Sequence, residues 1–187
     1  MNIPNKLTIS RMLMVPVFLA VILMDVPHRF LFAIITFAVA AITDALDGKI
    51  ARKTNQITVF GKLADPVADK MMTTAALLAF MQLGLCDIWI VLIVLTREFA
   101  VTSIRLVASA QGTVIPANIW GKLKTVSQMT FTLLIMLIME LDYLKILPDT
   151  APLALISNIL LAITALLTVI SGVIYVVESS KIIDFSK

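Results

Sequence analysis

Six long apolar stretches separated by short polar connections leave this chain few ways to fold. They cover residues 7–24, 29–51, 60–83, 88–110, 119–139 and 153–177. Each holds about 20 residues or more, enough for a helix to cross the roughly 30 Å hydrocarbon core of a bilayer. Of 187 residues, 60% are hydrophobic and 14% charged, and the mean hydropathy is +1.02. No soluble domain has that balance. The expected architecture is all-α: a single domain over residues 1–187, folded as an integral membrane bundle of six transmembrane helices.

The connections carry the usual breakers. Asp25-Val26-Pro27-His28, the turn at 84–87, Gln111-Gly112 with Pro116-Ala117-Asn118, and the polar stretch 140–152 separate the segments. Thr8 is a candidate cap for the first helix. No small-residue cleavage pattern follows the first apolar run, so that segment reads as retained rather than as a signal peptide. The basic residues then set the orientation. Lys6, Arg11, Lys49, Arg52, Lys53, Lys62, Lys122, Lys124, Lys181 and Lys187 fall on one side, whereas the other offers only Arg29 and Lys145 among Asp25, Asp87, Asp142 and Asp149. Both termini are therefore expected in the cytoplasm.

Within this apolar chain, residues 44–69 stand apart. Asp44 and Asp47 are three apart and Asp65 and Asp69 four apart, so on helices each pair shares a face. The link at 53–60 is short enough to make the two helices antiparallel neighbours and to let the acidic faces meet. Four carboxylates in a low-dielectric site cannot all remain ionised without cations. With no His or Cys nearby, the all-oxygen donor set favours a hard divalent ion such as Mg2+, Mn2+ or Ca2+ over zinc. Pro66 lies between two of the acids and predicts a helix that begins about there or is kinked.

Written out, the stretch is D-A-L-D-G-K-I-A-R, eight residues, then G-K-L-A-D-P-V-A-D. It resembles the signature of the CDP-alcohol phosphatidyltransferases, membrane enzymes that move a phosphatidyl group from a CDP-linked lipid to an alcohol. All eight fixed positions match: Asp44, Asp47, Gly48, Ala51, Arg52, Gly61, Asp65 and Asp69. The small residues Gly48, Ala51 and Gly61 would let a nucleotide approach the helices closely, and Arg52 can fork onto phosphate or the cytosine edge. The resemblance implies two divalent ions, Mg2+ or Mn2+, clamping the diphosphate of CDP-diacylglycerol. It makes Asp44, Asp47 and Asp65 primary ligands, and Asp69 the general base lying near a metal. Asn5, Thr8 and Arg11 become candidate diphosphate contacts, although a cap and an interface anchor explain them nearly as well.

Further stretches, N-I-P-N-K-L-T-I-S-R, R-E-F-A-V-T-S-I-R and G-T-V-I-P-A-N-I-W-G-K-L-K-T, resemble the bacterial branch of that family whose acceptor is glycerol 3-phosphate. Arg97, Arg105, Lys122 and Lys124 are the candidates for binding this dianion, since intramembrane cations are costly unless paired or functional. Their structural alternatives are a Glu98–Arg105 pair across two turns and positive-inside anchoring by the lysines. The same resemblance implies a homodimer in a bacterial cell membrane with the active site facing the cytoplasm, and no nucleic-acid partner. His28 is expected to be incidental, Cys86 a small apolar filler, the methionines soft packing, and Trp89, Trp120, Tyr143 and Tyr175 interfacial. Inositol phosphate, serine or phosphatidylglycerol as acceptor remain alternatives. A divalent-cation transporter is the rival from another class, disfavoured because the acids gather at one membrane face.

Overall fold

The computed structural model describes residues 3–54, 59–111, 113 and 118–181, without the side chains of 3, 4, 45–54, 59–63, 65, 69 and 110. Six helices make up the regular structure of these residues: α1 (Ile3–Leu23), α2 (Arg29–Thr54), α3 (Val59–Gln82), α4 (Ile88–Ala110), α5 (Ile119–Tyr143) and α6 (Leu153–Ser179). No strand occurs among the described residues. α1, α5 and α6 each hold a stretch long and apolar enough to cross a membrane.

Local chemistry fixes several boundaries. The Asp87 carboxylate accepts from the Trp89 amide at 2.9 Å to open α4, and the Asn118 side chain accepts from the Trp120 amide at 3.0 Å to open α5. α3 closes at Gly84, whose φ of +73° lies in the left-handed region. There the Leu85 amide donates to Phe80 O at 2.8 Å and the Gly84 amide to Met81 O at 3.1 Å. α5 closes by the same pair of bonds with Lys145, at φ 58°, in the glycine's place.

Three expected boundaries are corrected. α1 starts at Ile3, so Thr8 is not its cap but a buried interior residue. α3 starts at Val59 and continues through Pro66 rather than beginning there. α5 runs on to Tyr143, which brings Glu140 out of the connection and into a helix.

α1 packs along both α2 and α3, which touch each other only sparsely among the described residues. Small side chains allow this close approach: Ala33 and Ala40 on α2, and Ala68, Ala75, Ala76 and Ala79 on α3, are all buried. Phe18 of α1 meets Phe37 of α2 at a 6.0 Å ring separation. The buried face of α2 repeats as Phe30, Ala33, Phe37 and Ala40, the 3.6-residue period of a helix. Asp44 is the next position on that face. The buried residues of α5 and α6 include small polar ones, Thr132 on α5 and Thr164, Thr168 and Ser171 on α6. The α6 hydroxyls are satisfied within their own helix, as where Thr168 donates to Thr164 O at 2.7 Å, whereas Thr132 Oγ1 has no hydrogen-bond partner among the described residues. Outside, large apolar side chains such as Val17, Phe32, Ile42, Phe99, Leu106, Ile159 and Leu166 are exposed. That inverted surface suits hydrocarbon.

The α1–α2 and α3–α4 turns gather at one end of the bundle with the start of α6. Ser157 donates to Leu85 O at 2.7 Å, and the Asp87 amide donates to Asn158 Oδ1 at 2.8 Å. At the same end the Glu140 carboxylate, buried, accepts from the Leu31 amide at 3.2 Å and lies 2.6 Å from His28 Nδ1. His28 also stands edge-on to Tyr143, with ring centres 5.1 Å apart. Expected to be incidental, His28 instead helps to clasp the start of α2 to the end of α5. A carboxylate at a helix N-terminus is favourably placed, and its loss would leave the Leu31 amide and His28 without this partner. Glu140→Ala is expected to destabilise the detergent-solubilised protein by roughly 1–3 kcal/mol, read by thermal unfolding. An unchanged midpoint would mean that the clasp contributes nothing.

Cys86 is buried in the α3–α4 turn, as expected of an apolar filler. Burial, with a smaller effect from Asp87, pushes its thiol up to about 12. The folded state favours the neutral thiol, so this contribution to stability is complete below the unfolded value of about 9.0 and is lost as pH rises towards 12. At pH 8, iodoacetamide should react with folded Cys86 about a thousandfold more slowly than with unfolded chain. Comparable rates would contradict the buried placement.

Candidate functional site

At the opposite end all six helices contribute to a cavity of about 600 Å3. Its floor is the inward face of α2, where the apolar repeat Phe37–Ala40 gives way to Asp44. Arg11, buried on α1, pairs with the Asp44 carboxylate, which is itself 46% exposed towards the cavity. Asn5 and Thr8 are buried six and three residues before Arg11, on the same side of α1, but do not line the cavity among the described residues.

The facing wall is built around Glu98 of α4. Its Oε1 accepts from Lys124 Nζ of α5 at 2.5 Å and from Arg97 Nη1 at 3.1 Å, and its Oε2 lies 4.0 Å from Lys70 Nζ of α3. One carboxylate thus balances three cations from three helices. The expected alternative, a Glu98–Arg105 pair, is not formed. Arg105 Nε donates instead to the Tyr175 hydroxyl of α6 at 3.2 Å, with the guanidinium carbon 5.4 Å from the ring centre. Neither Arg105 nor Lys122 has a carboxylate partner among the described residues. Lys124, by contrast, is buried at 3% exposure and fully engaged by Glu98.

The described lining therefore holds six cations, Arg11, Lys70, Arg97, Arg105, Lys122 and Lys124, against two carboxylates, Asp44 and Glu98. Such an excess, with apolar walls that weaken screening, attracts a polyanion. All four residues expected to bind glycerol 3-phosphate, Arg97, Arg105, Lys122 and Lys124, line this one cavity.

Asp47, Gly48, Ala51 and Arg52 lie on α2, and Gly61, Asp65 and Asp69 on α3. The backbone is helical through both acid pairs, as their spacing requires. Their side chains lie outside the described residues, so Asp44 is the motif acid whose setting is visible. Among the described residues no group of three metal-ligating side chains forms. Asp44 does offer hard oxygen donors at the cavity wall, and neither His nor Cys lines the cavity. That donor chemistry fits Mg2+ or Mn2+ and suits zinc poorly.

Tyr175 is the residue that sequence reasoning missed. Expected at the membrane interface, it is buried at 2% exposure against Arg105. A signal was present: Thr164, Thr168, Ser171 and Tyr175 recur at helical spacing along the most apolar helix.

Comparison with known proteins agrees with this arrangement. Residues 1–170 match the profile of the CDP-alcohol phosphatidyltransferases. A protein of Bacillus subtilis strain 168 is 40% identical over 139 residues, covering 68% of this chain and 72% of its own length, and is named CDP-diacylglycerol–glycerol-3-phosphate 3-phosphatidyltransferase. Two further proteins bear the same name. One, from Rickettsia bellii, is 34% identical over 93% of each chain, and the other, from Pseudomonas fluorescens, is 36% identical over 69% of each. An anion-attracting cavity beside the first acid of the motif, and a match spanning most of the sequence, lead to one conclusion: this chain belongs to the CDP-alcohol phosphatidyltransferase family.

Proposed function

We propose that this protein transfers the phosphatidyl group of CDP-diacylglycerol to sn-glycerol 3-phosphate, forming phosphatidylglycerol phosphate and CMP. The observation that carries the choice of acceptor is the pair of cations, Arg105 and Lys122, lining the cavity that holds Asp44 without carboxylate partners of their own. A zwitterion such as serine brings one carboxylate, together with an ammonium charge of its own, against two cations. A phosphate dianion satisfies them, Arg105 by a forked contact and Lys122 as a point charge. The names of the relatives from B. subtilis, R. bellii and P. fluorescens support the same acceptor.

In this reading Arg11, Arg52 and the bare surfaces at Gly48, Ala51 and Gly61 seat the cytidine diphosphate portion, with Asn5 and Thr8 supporting the Arg11 side of α1. Asp44, Asp47, Asp65 and Asp69 would hold two divalent ions, Mg2+ or Mn2+, which would supply neutralisation of the diphosphate charge. Arg105 and Lys122 hold the acceptor's phosphate, with Arg97 and Lys124 behind them. This leaves the acceptor's free hydroxyl aimed towards the diphosphate. The hydroxyl oxygen forms a bond to the phosphatidyl phosphorus, the bond from that phosphorus to the bridging oxygen breaks, and CMP departs with that oxygen. Asp69 takes the hydroxyl proton. Holding both reactants in one cavity supplies the orientation that such a displacement needs.

The same reading makes all six helices membrane spans. Both termini and the cavity then face the cytoplasm of a bacterial cell, which suits a water-soluble acceptor arriving from one side and a lipid donor entering laterally. The protein would act as a homodimer, as the family resemblance implies.

Purified protein given CDP-diacylglycerol and Mg2+ should release CMP with glycerol 3-phosphate and not with serine or inositol phosphate. Arg105→Ala and Lys122→Ala should each raise the KM for glycerol 3-phosphate by roughly ten- to hundredfold, the scale of a charged hydrogen bond, while moving the KM for the lipid far less. CMP release with serine or inositol phosphate alone would overturn the acceptor, and equal shifts in both KM values would remove the two cations from its site.

A further inference from the structure

We infer that one short face of α6, Gly172 and Tyr175, positions the two arginines of the anion site. The inference rests on the proposed acceptor reading and deepens it. Both residues lie past residue 170, where the family match ends.

Gly172 governs Arg97. A Cβ built on Gly172 would stand 3.0 Å from Arg97 Cγ and 3.9 Å from its Cβ, so the arginine stem crosses bare backbone. Further along the same side chain, a Cβ on Gly121 of α5 would stand 3.5 Å from Arg97 Nη2. Arg97 thus runs through a slot whose floor is glycine on α6 and whose far edge is glycine on α5. Glu98 fixes Nη1 at 3.1 Å, while Nε is buried with no hydrogen-bond partner among the described residues. That orphaned donor marks a guanidinium held for packing and position, with hydrogen-bonding capacity unspent.

Tyr175 governs Arg105. The two α6 residues are three apart and share a face. The buried Tyr175 hydroxyl accepts from Arg105 Nε, and the ring supports the guanidinium. Engaging Nε leaves the two terminal nitrogens, which present the parallel N–H pair that fits a phosphate. α6 therefore fixes the aim of both arginines although it contributes no charged group to the cavity.

The two substitutions separate positioning from general stability. Alanine is the stronger helix former, which offsets part of the cost of moving the Arg97 stem, so Gly172→Ala should still fold, with the thermal midpoint read alongside to separate aim from stability. Its methyl group should nevertheless displace Arg97. Tyr175→Phe keeps the ring and removes only the acceptor for Arg105 Nε. In each variant the KM for glycerol 3-phosphate should rise roughly three- to tenfold, with the KM for CDP-diacylglycerol within about twofold of wild type. The Kd for inorganic phosphate, measured by calorimetry on the detergent-solubilised protein, should rise by the same factor. Unchanged phosphate Kd and acceptor KM in both variants would overturn the inference, and so would a wild-type protein that binds no phosphate. If wild type binds phosphate but does not use glycerol 3-phosphate, the acceptor reading falls, and the phosphate Kd values of Tyr175→Phe and Gly172→Ala still decide whether α6 aims the arginines.

Discussion

A single half-buried carboxylate organises the polar half of this bundle. Glu98 stands among Lys124, Arg97 and Lys70, drawn from α5, α4 and α3, in a chain whose outer surface is apolar. Charges at such depth persist only when compensated, and breaking one partner of such a group costs far more than the group contributes when intact. Because Glu98 absorbs Lys124 and one terminal nitrogen of Arg97, the burden of binding an anion falls first on the cations it does not reach, Arg105 and Lys122, with the rest of the Arg97 guanidinium beside them. The ionic cluster thus both ties three helices together and determines which side chains are left for a ligand.

The two ends of the bundle are specialised. Around Phe18, Phe37, Phe80 and Met136 the helices meet through a close-packed apolar core, and beyond it the turns are clasped by Glu140, Ser157 and Asn158. Towards the other end the same helix faces turn polar, α2 at Asp44 and α6 at Ser171 and Tyr175. The cavity is therefore not a packing defect: it lies where each helix continues its inward face with a polar or small residue. A rigid apolar half supports a polar half that must admit two substrates.

The helices were legible in the sequence because length and apolar content alone set them, and α4 begins and ends at the expected residues. The acid motif was legible because its spacing is helical and its composition is anomalous in a membrane chain. The misreadings have physical causes. Thr8 has the chemistry of a cap, but Pro4 is tolerated in a first turn, so α1 begins earlier. Pro66 sits early enough in α3 for the helix to continue through it. Glu140 and His28 are 112 residues apart, and no local pattern announces a partner at that distance. The amphipathic ring of Tyr175 suits the interface, whereas the arginine it packs against lies on another helix. Pairings of this kind depend on which helices become neighbours, and the apolar pattern of each helix taken alone does not encode that.

The central claim is that the cavity beside Asp44 is where acceptor phosphate and divalent ion meet. The most direct test is an experimental structure of the protein with glycerol 3-phosphate and Mn2+ bound, the manganese located by its anomalous scattering. The predicted result is phosphate within hydrogen-bonding reach of Arg105 and Lys122, with manganese on the Asp44 carboxylate. Phosphate bound at the opposite end, against Arg29 and Lys145, or manganese remote from Asp44, would contradict it.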